Sequence, residues 1–373
     1  MKPSQGDTVG ILAFDLSAAF DTVDSKKLIA KLESAGISDT PLKWFSSYMN
    51  GRTQKVLWND SVSKPQSLTH GVPQGSILGH ILFLVMVADM PEYVIGDTPN
   101  AKMTSYADDA TLHVRAKNLE RFSSRMIRYC QSVGLVLNND KTQLLVSPKQ
   151  KCLIKVGSSF ISASPEMSLL GVDFDSNVST TPYLHKLACA AKTRAALISR
   201  LSFSMPPHVL LSFANGLLMG KVLSACPMTI PIRLERDDKY CCVITKEINK
   251  AIKATACTIT KTKLSDKVRS EIVLHKAHLK CLNEAVASIV AVTVWKAKHS
   301  MNPIGKCLFK ERPNLKTTRS VSSNRLQLPV PGYPTLATNL MARVWNAIPE
   351  LQETSTLAVA KSVARKWART IPR

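Results

Sequence analysis

Two adjacent carboxylates at a hairpin turn, and a third at the end of a buried strand, constrain this chain more than any other feature. Residues 103–114 read as two short strands around Ala107-Asp108-Asp109, apolar alternation on both sides of turn chemistry. Residues 9–16 form an apolar run that closes on Asp15, the pattern of a buried strand. A sheet in which that strand end and that hairpin tip are neighbours brings the three acids together. Like charges held so close repel, and the cluster is costly unless a cation sits among them. Hard oxygen ligands beside a phosphate substrate suit two Mg²⁺ ions, with Mn²⁺ as a substitute. Two ions about 3.5–4 Å apart stabilise both oxygens of an in-line phosphoryl displacement. The plain alternative is that Asp15 caps a helix and Asp108-Asp109 merely turns the chain. It holds well for the Asp-Asp pair alone and poorly once a third island, Gly71-Val72-Pro73-Gln74-Gly75-Ser76, is counted.

The elements around these islands mix strands and helices. Helical spacing of Phe20, Val23, Leu28, Ile29 and Leu32 predicts a helix over 19–35, stopped by Gly36. A short helix over 41–49 and strands over 54–58 and 67–72 follow. The run 76–89 is apolar on most sides and reads as a buried helix. A helix over 118–133 precedes strands over 143–146, 153–156 and 169–174. This order predicts an α+β domain with an antiparallel sheet and flanking helices. Past about residue 180 the chain reads as helices over 183–201, 207–224, 234–257 and 265–300. Residues 303–334, rich in Pro, Ser, Asn, Thr and basic side chains, read as a linker. Short helices over 336–348 and 356–370 end the chain.

Charge separates the two halves. Residues 1–177 hold 18 basic and 17 acidic side chains, whereas residues 178–373 hold 31 and 10, so the second half carries nearly all of the net +22. A field of that sign recruits polyanions, nucleic acid first among them. No stretch approaches the ~20 apolar residues of a membrane span, and no apolar signal core opens the chain. An intracellular protein, nuclear or cytoplasmic, is expected. Nine scattered cysteines, of which only Cys241 and Cys242 are close, read as reduced thiols rather than a zinc site.

Six phrases in register carry a resemblance: AFDLSAAFDTVD (13–24), LKWFSSYMNGRTQKV (42–56), GVPQGSILGHILFLVMVADMP (71–91), SYADDATL (105–112), LNNDKTQLLV (137–146) and LLGVDFD (169–175). Together they resemble the palm motifs of reverse transcriptases, specifically those of non-LTR, jockey-like retrotransposons. The resemblance implies a palm over 1–177, with the fingers expected upstream and missing here. It implies a helical thumb over 178–232, followed by a basic helical region over 233–302, the linker 303–334 and a helical tail over 335–373. Val344-Trp345-Asn346-Ala347-Ile348-Pro349 is similar to a phrase near the end of many such elements.

Roles follow from the same resemblance. Asp15 and Asp108 match the principal metal-binding aspartates, Asp109 the supporting third, and Leu16 a backbone-carbonyl ligand. Phe20 matches the aromatic gate beneath the incoming sugar, although its spacing also suits a core aromatic. Gln74 and Gly75 match the loop that meets nucleotide and template. Lys141 stands where a lysine donates a proton to pyrophosphate, or is simply solvated. Leu170 and Gly171 resemble the primer grip, and Tyr106 lies near the primer end. The implied partners are an RNA template, a DNA primer and dNTP, with no membrane. Departures from the usual pattern are His80 for Pro, Ala18 for a basic residue, Ala110 for Thr or Ser, and Val87-Ala88-Asp89 for Ile-Asn-Asp. The implied activity is RNA-directed DNA polymerisation. A truncated or domesticated derivative that binds nucleic acid without catalysis is the alternative, and a group II intron maturase-like protein a distant third.

Overall fold

The computed structural model describes residues 8–148, 150–231, 234, 243–266, 268–299 and 337–371. The chain divides into two compact units, Met1–Ser179 and Thr180–Arg373.

The first unit is built on a six-stranded sheet. Its strands are β1 (Val9–Ser17), β6 (Lys102–Tyr106), β7 (Asp109–Arg115), β8 (Val136–Ser147), β9 (Leu153–Val156) and β10 (Ser159–Ser164), in the order β6-β7-β1-β8-β10-β9. Four two-residue strands, β2 (Thr53–Gln54), β3 (Leu57–Trp58), β4 (Ser61–Val62) and β5 (Gln66–Ser67), and the hairpin of β11 (Glu166–Leu169) and β12 (Val172–Asp175) complete the set. Its helices are α1 (Ser25–Ser34), α2 (Asp39–Met49), α3 (Gly79–Val87), α4 (Met90–Ile95) and α5 (Leu119–Val133).

Strand alternation decides which side is core. Leu12, Phe14 and Leu16 on β1, with Leu112 and Val114 on β7 and Leu144 and Val146 on β8, are buried in one cluster with Leu28, Phe83, Phe122 and Met126 of the helices. The opposite face carries Ile11, Ala13 and Asp15. α5 shows how sequence writes this packing. Leu119, Phe122, Met126, Tyr129, Cys130 and Val133 are buried at helical spacing, and Gly134 ends the helix in the left-handed region at φ 84°.

Several expectations are corrected. The sheet is mixed rather than antiparallel, because β10 runs parallel to β8 through Ala163↔Leu144 and Ser164↔Leu145. The helix expected over 19–35 begins only at Ser25. Ala18 adopts φ 46°, and Asp24 caps the helix by accepting from the Lys26 and Lys27 N–H groups. Residues 54–58 and 67–72 contribute only two-residue strands. The run 76–89 starts its helix at Gly79, whose N–H donates to the Ser76 hydroxyl at 3.0 Å. A Cβ at Gly79 would lie 2.5 Å from the Pro73 carbonyl oxygen, so only glycine fits there. That helix is not buried all round, for Ile81 and Leu84 are exposed. Residues 169–174 are not one strand but a hairpin turning at Leu170 and Gly171, with φ 49° and 76°.

The second unit is helical throughout its described residues. It comprises α6 (Thr181–Leu201), then α7 (Pro207–Phe213), which continues through a π-turn (Ala214–Met219) into α8 (Gly220–Leu223), and α9 (Cys226–Thr229). α10 (Val243–Thr260), α11 (Ser270–Lys276) and α12 (Leu282–His299) follow, with α13 (Ala337–Ala347), α14 (Pro349–Gln352) and α15 (Leu357–Ala368) last. The helix expected over 265–300 is broken between α11 and α12. His278 takes φ 55°, and the Asn249 side chain accepts from the Leu282 N–H at 3.2 Å to start the second helix. Trp345 is buried, and Trp295 donates its indole N–H to the Thr354 carbonyl at 3.2 Å. The linker expected over 303–334 and the Cys241-Cys242 pair lie outside the described residues. The six described cysteines are free thiols. Among the described residues no helix is long and apolar enough to cross a membrane.

Candidate active site

β1 lies between β7 and β8, and its register with β7 sets the site. The pairing runs from Val9↔Arg115 to Phe14↔Ala110. Continued by one residue, it faces Asp15 with Asp109. Directly opposed residues of an antiparallel pair project to the same side about 4.5–5.5 Å apart at Cβ. Because Phe14 points into the core, Asp15 projects to the open face. β6 and β7 close at Tyr106↔Asp109, which leaves Ala107 and Asp108 as a two-residue turn, with Ala107 at φ 53°. A positive φ at the first turn residue matches the right-handed twist of a hairpin.

The charges are felt across this corner. The Asp109 carboxyl is pushed above its ordinary range, by burial first, then by the negative charges of Asp108 and Asp15.

The third sequence island folds onto the first. The Gly71 N–H donates to the Val23 carbonyl and the Val72 N–H to the Phe20 carbonyl, both at 2.8 Å. Gln74 donates its side-chain amide to the Asp21 carboxylate at 2.7 Å. A Cβ on Gly71, which sits at φ +87°, would lie 3.0 Å from the Asp21 Cα and carbonyl oxygen. Backbone contact of that kind admits only glycine. Arg52 locks the same loop by donating its guanidinium to the Gly71 carbonyl.

Residues 2–174 match the reverse transcriptase (RNA-dependent DNA polymerase) family. The chain carries a reverse transcriptase domain. It is related to those of jockey-like retrotransposons. Over 188 residues it is 27% identical to the probable RNA-directed DNA polymerase from transposon BS of Drosophila melanogaster, a match covering 46% of this chain and 20% of that protein. It is 26% identical over 233 residues to the RNA-directed DNA polymerase from mobile element jockey of Drosophila funebris, covering 58% of this chain and 25% of that protein. The chain thus spans about a fifth to a quarter of the length of these curated relatives. Among solved structures, telomerase from Candida tropicalis in complex with a fragment of telomeric RNA aligns with 98% of this chain and 50% of its own, at 11% identity and a TM-score of 0.43.

Within the reverse transcriptase domain, the sequence-predicted residues fall into three groups. Asp15 and Asp109 lie at the ends of the adjacent strands β1 and β7, with Asp108 in the neighbouring turn, and Leu16 follows on β1 with its side chain in the core. Phe20, Gln74 and Gly75 belong to the docked loops beside the start of α3. The Phe20 ring is half-buried, tilted against Phe83 at 4.6 Å and edge-on to His80 at 5.4 Å between centroids. It is thus a partial core aromatic, whatever else it does. Gly75 takes φ +77° with open space around its Cα. Lys141 makes up the third group, on a bulge of β8. That strand pairs with β1 as Ala13↔Gln143 and then as Asp15↔Asn138, so residues 139–142 bow out of the ladder. Asn138 closes the bulge: its side chain accepts from the Lys141 N–H at 3.3 Å, and its carbonyl from the Thr142 hydroxyl at 2.7 Å. β8 is therefore far longer than the strand expected over 143–146.

The β11–β12 hairpin packs on the open face through Met167, against Ile11 and Leu145. Gln143 helps to seat it by accepting from the Ser168 N–H at 3.1 Å. Between its tip and the sheet lies a cleft of about 180 Å³, lined among others by Ala13, Tyr106, Asp109, His113 and Leu170. Tyr106 and Leu170 are exposed at its rim. Sequence reading missed His113 and Gln143. Burial, and then nearby positive charge that includes Lys102, pushes the His113 imidazole below its ordinary range, so it is neutral in the cleft at neutral pH. The signal was present in the alternation of β7, which sends His113 to the same side as Asp109.

Among the described residues no group of three or more His, Cys, Asp or Glu side chains is placed to hold a metal ion. The donor set still fits a divalent cation. Mg²⁺ binds through one or two carboxylates plus substrate phosphates and keeps waters, and the repulsion recorded at Asp109 is what such a cation relieves.

Proposed function

We propose that the domain catalyses RNA-directed DNA synthesis, transferring a nucleotidyl group from dNTP to a primer 3′-hydroxyl on an RNA or DNA template. The observation that carries this reading is the β1–β7 register, which runs to Phe14↔Ala110 and leaves Asp15 and Asp109 as the next residues of adjacent strands, with Asp108 in the turn. Asp15, Asp108, Asp109 and the Leu16 carbonyl are the groups that would hold magnesium ions. Such ions supply charge stabilisation for the attacking and leaving oxygens of an in-line displacement.

The rest of the work falls to the chain's own side chains. The primer 3′-oxygen forms a bond to the α-phosphorus as the bond to pyrophosphate breaks. Lys141, exposed on its bulge, donates a proton to the departing pyrophosphate. Phe20 lies beneath the sugar and disfavours a 2′-hydroxyl. Gln74 and Gly75 meet the base pair, Gly75 by letting backbone approach closely. Tyr106, with Leu170 and Gly171 on the facing hairpin, holds the primer end. In this reading residues 1–177 act as palm and 178–232 as a thumb-like segment, and the basic half grips the phosphate backbone.

Primer extension on poly(rA)/oligo(dT) tests the proposal. Incorporation of dTTP that disappears in both Asp15→Asn and Asp108→Asn supports it. Unchanged incorporation in either variant sinks the two-metal assignment. A second reading, nucleic-acid binding without catalysis, is favoured by the charge asymmetry alone. It predicts salt-sensitive binding with no incorporation by the wild-type chain.

A further inference from the structure

The last helix, α15, presents a row of cations that no acidic partner among the described residues neutralises. Its buried side is alanine: Ala360, Ala364 and Ala368 are 0%, 0% and 1% exposed and pack the helix against α12. Lys361, Arg365 and Arg369, each one residue on, make a second row four residues apart. At 100° per residue, that row lies roughly a quarter turn from the alanine seam, and its members rise about 6 Å apart along the axis. All three are exposed, as is Lys366. No acidic residue occurs from 357 to 371. The preceding acids, Glu350 and Glu353, fall before the helix starts.

Some cations elsewhere in this unit are committed. Lys192 and Lys250 hold Glu247 between them at 2.8 and 2.6 Å and keep its carboxyl down to about 2. Lys253 donates to the Val268 carbonyl at 2.9 Å. Among the described residues, Lys361, Arg365, Lys366 and Arg369 have no such partner. Helix-dipole stabilisation accounts for some basic residues in a last turn. It does not account for Lys361, or for an aligned row over two turns.

We infer that the Lys361–Arg365–Arg369 row of α15 is a docking surface for the phosphodiester backbone of nucleic acid. This deepens the reading of the basic half as a backbone grip and is independent of nucleotidyl transfer. An anionic membrane is the competing polyanion, and the packing argues against it. A helix that binds a bilayer inserts an apolar face. Here that face is spent on α12, and Val359, 50% exposed, is the one exposed large apolar side chain on the helix, with Leu357, Val363 and Trp367 half-buried. Guanidinium and ammonium groups spaced along one edge match a strand of phosphates, which needs no apolar insertion.

The test uses the full chain and a fluorescently labelled 20-nucleotide RNA across a salt series. The variant is Lys361→Gln/Arg365→Gln/Arg369→Gln. A control removes the same charge at the exposed residues Lys261, Lys263 and Lys276. Circular dichroism and melting verify that each variant folds. The row should weaken binding about tenfold or more at 0.1 M salt and lower the slope of log K against log salt by about 2, as loss of three single-strand phosphate contacts requires. The control should change the slope far less. Equal effects of the two triples overturn the assignment, because net charge alone then explains binding. RNA binding unchanged in the α15 triple, with loss of binding to vesicles containing phosphatidylserine, also overturns it. A wild-type chain that binds no RNA removes the broader reading of the basic half as well, so the two failures are distinguishable.

Discussion

Gln74 is tied to Asp21 by a hydrogen bond of 2.7 Å that bridges 53 residues of sequence. The bond joins the loop before α3 to the turn after β1, the two segments that stand beside Asp15. Asp21 is not among the carboxylates proposed to hold metal. Its work is to aim an amide.

Asp21→Ala should therefore release Gln74 without unfolding the domain. A hydrogen bond to a charged group contributes about 1.5–3 kcal/mol when shielded, and this one is exposed, so the lower end applies. We expect the KM for dNTP in primer extension to rise about tenfold, with a fall of only a few degrees in melting temperature. An unchanged KM would remove the positioning role.

Asp109 links stability to pH and to cations. Its carboxyl lies above the ordinary 3.8 in the folded chain, so the folded state binds that proton better than the unfolded state does. Stability from this group is present below pH 3.8 and is lost as pH rises through the raised value. Asp109→Asn should accordingly raise the melting temperature at pH 7 and have no such effect at pH 3. Millimolar Mg²⁺ should raise the wild-type melting temperature more than that of the variant. A pH-independent difference between the two proteins contradicts the repulsion.

Behind the sheet, Lys31 of α1 joins three elements. Its ammonium pairs with Asp89 and donates to the Met86 carbonyl at 2.6 Å and the Tyr129 hydroxyl at 3.2 Å, while Tyr129 donates to Asp89 at 2.6 Å. Burial works to raise the Asp89 pKa, yet the hydrogen bonds from Lys31 and Tyr129 and the charge of Lys31 together hold it below the ordinary value. Stability from Asp89 is thus present above pH 3.8 and falls away as pH drops through the lowered value. Lys31→Met should cost about 1 kcal/mol at pH 7, since the pair is partly exposed. It should also flatten the acid limb of the stability curve. Denaturant titrations at pH 7 and pH 3 measure both effects.

Ala107 occupies left-handed backbone at φ 53°, where a Cβ costs roughly 1–2 kcal/mol. Glycine relieves that strain and loses part of the gain to unfolded-state entropy, about 0.4–1 kcal/mol. Ala107→Gly should therefore be neutral to slightly stabilising, and Ala107→Val should destabilise by more than about 1 kcal/mol. A Val variant as stable as wild type in urea titration excludes strain at this turn.

Much of the sheet could be read from residue order. The apolar run of β1, the hairpin of β6 and β7 and the periodicity of α5 depend on neighbours a few residues apart, and all three elements appear where the sequence predicts them. The helix expected over 19–35 shows where that local logic stops. Phe20 and Val23 keep helical spacing with Leu28 and Leu32, yet Phe20 meets Phe83 from a loop, because Ala18 turns the chain and Asp24 caps a later start. Likewise, alternation along β8 gives no sign that residues 139–142 bow out of the ladder. A bulge is defined by the partner strand, and β1 is more than a hundred residues away.

What the sequence determined by itself is the set of chemical groups and their local setting: acids at a strand end and at a hairpin tip, glycines where backbones touch, and cations gathered in the second half. The tertiary structure decided which groups share a face. It set β1 beside β7 so that Asp15 and Asp109 end adjacent strands, bound Gln74 to Asp21, and brought His113 into the cleft beneath the β11–β12 hairpin. Local patterns follow from bonds and sterics within a few residues, whereas a facing pair depends on strand register, which packing of the whole core selects.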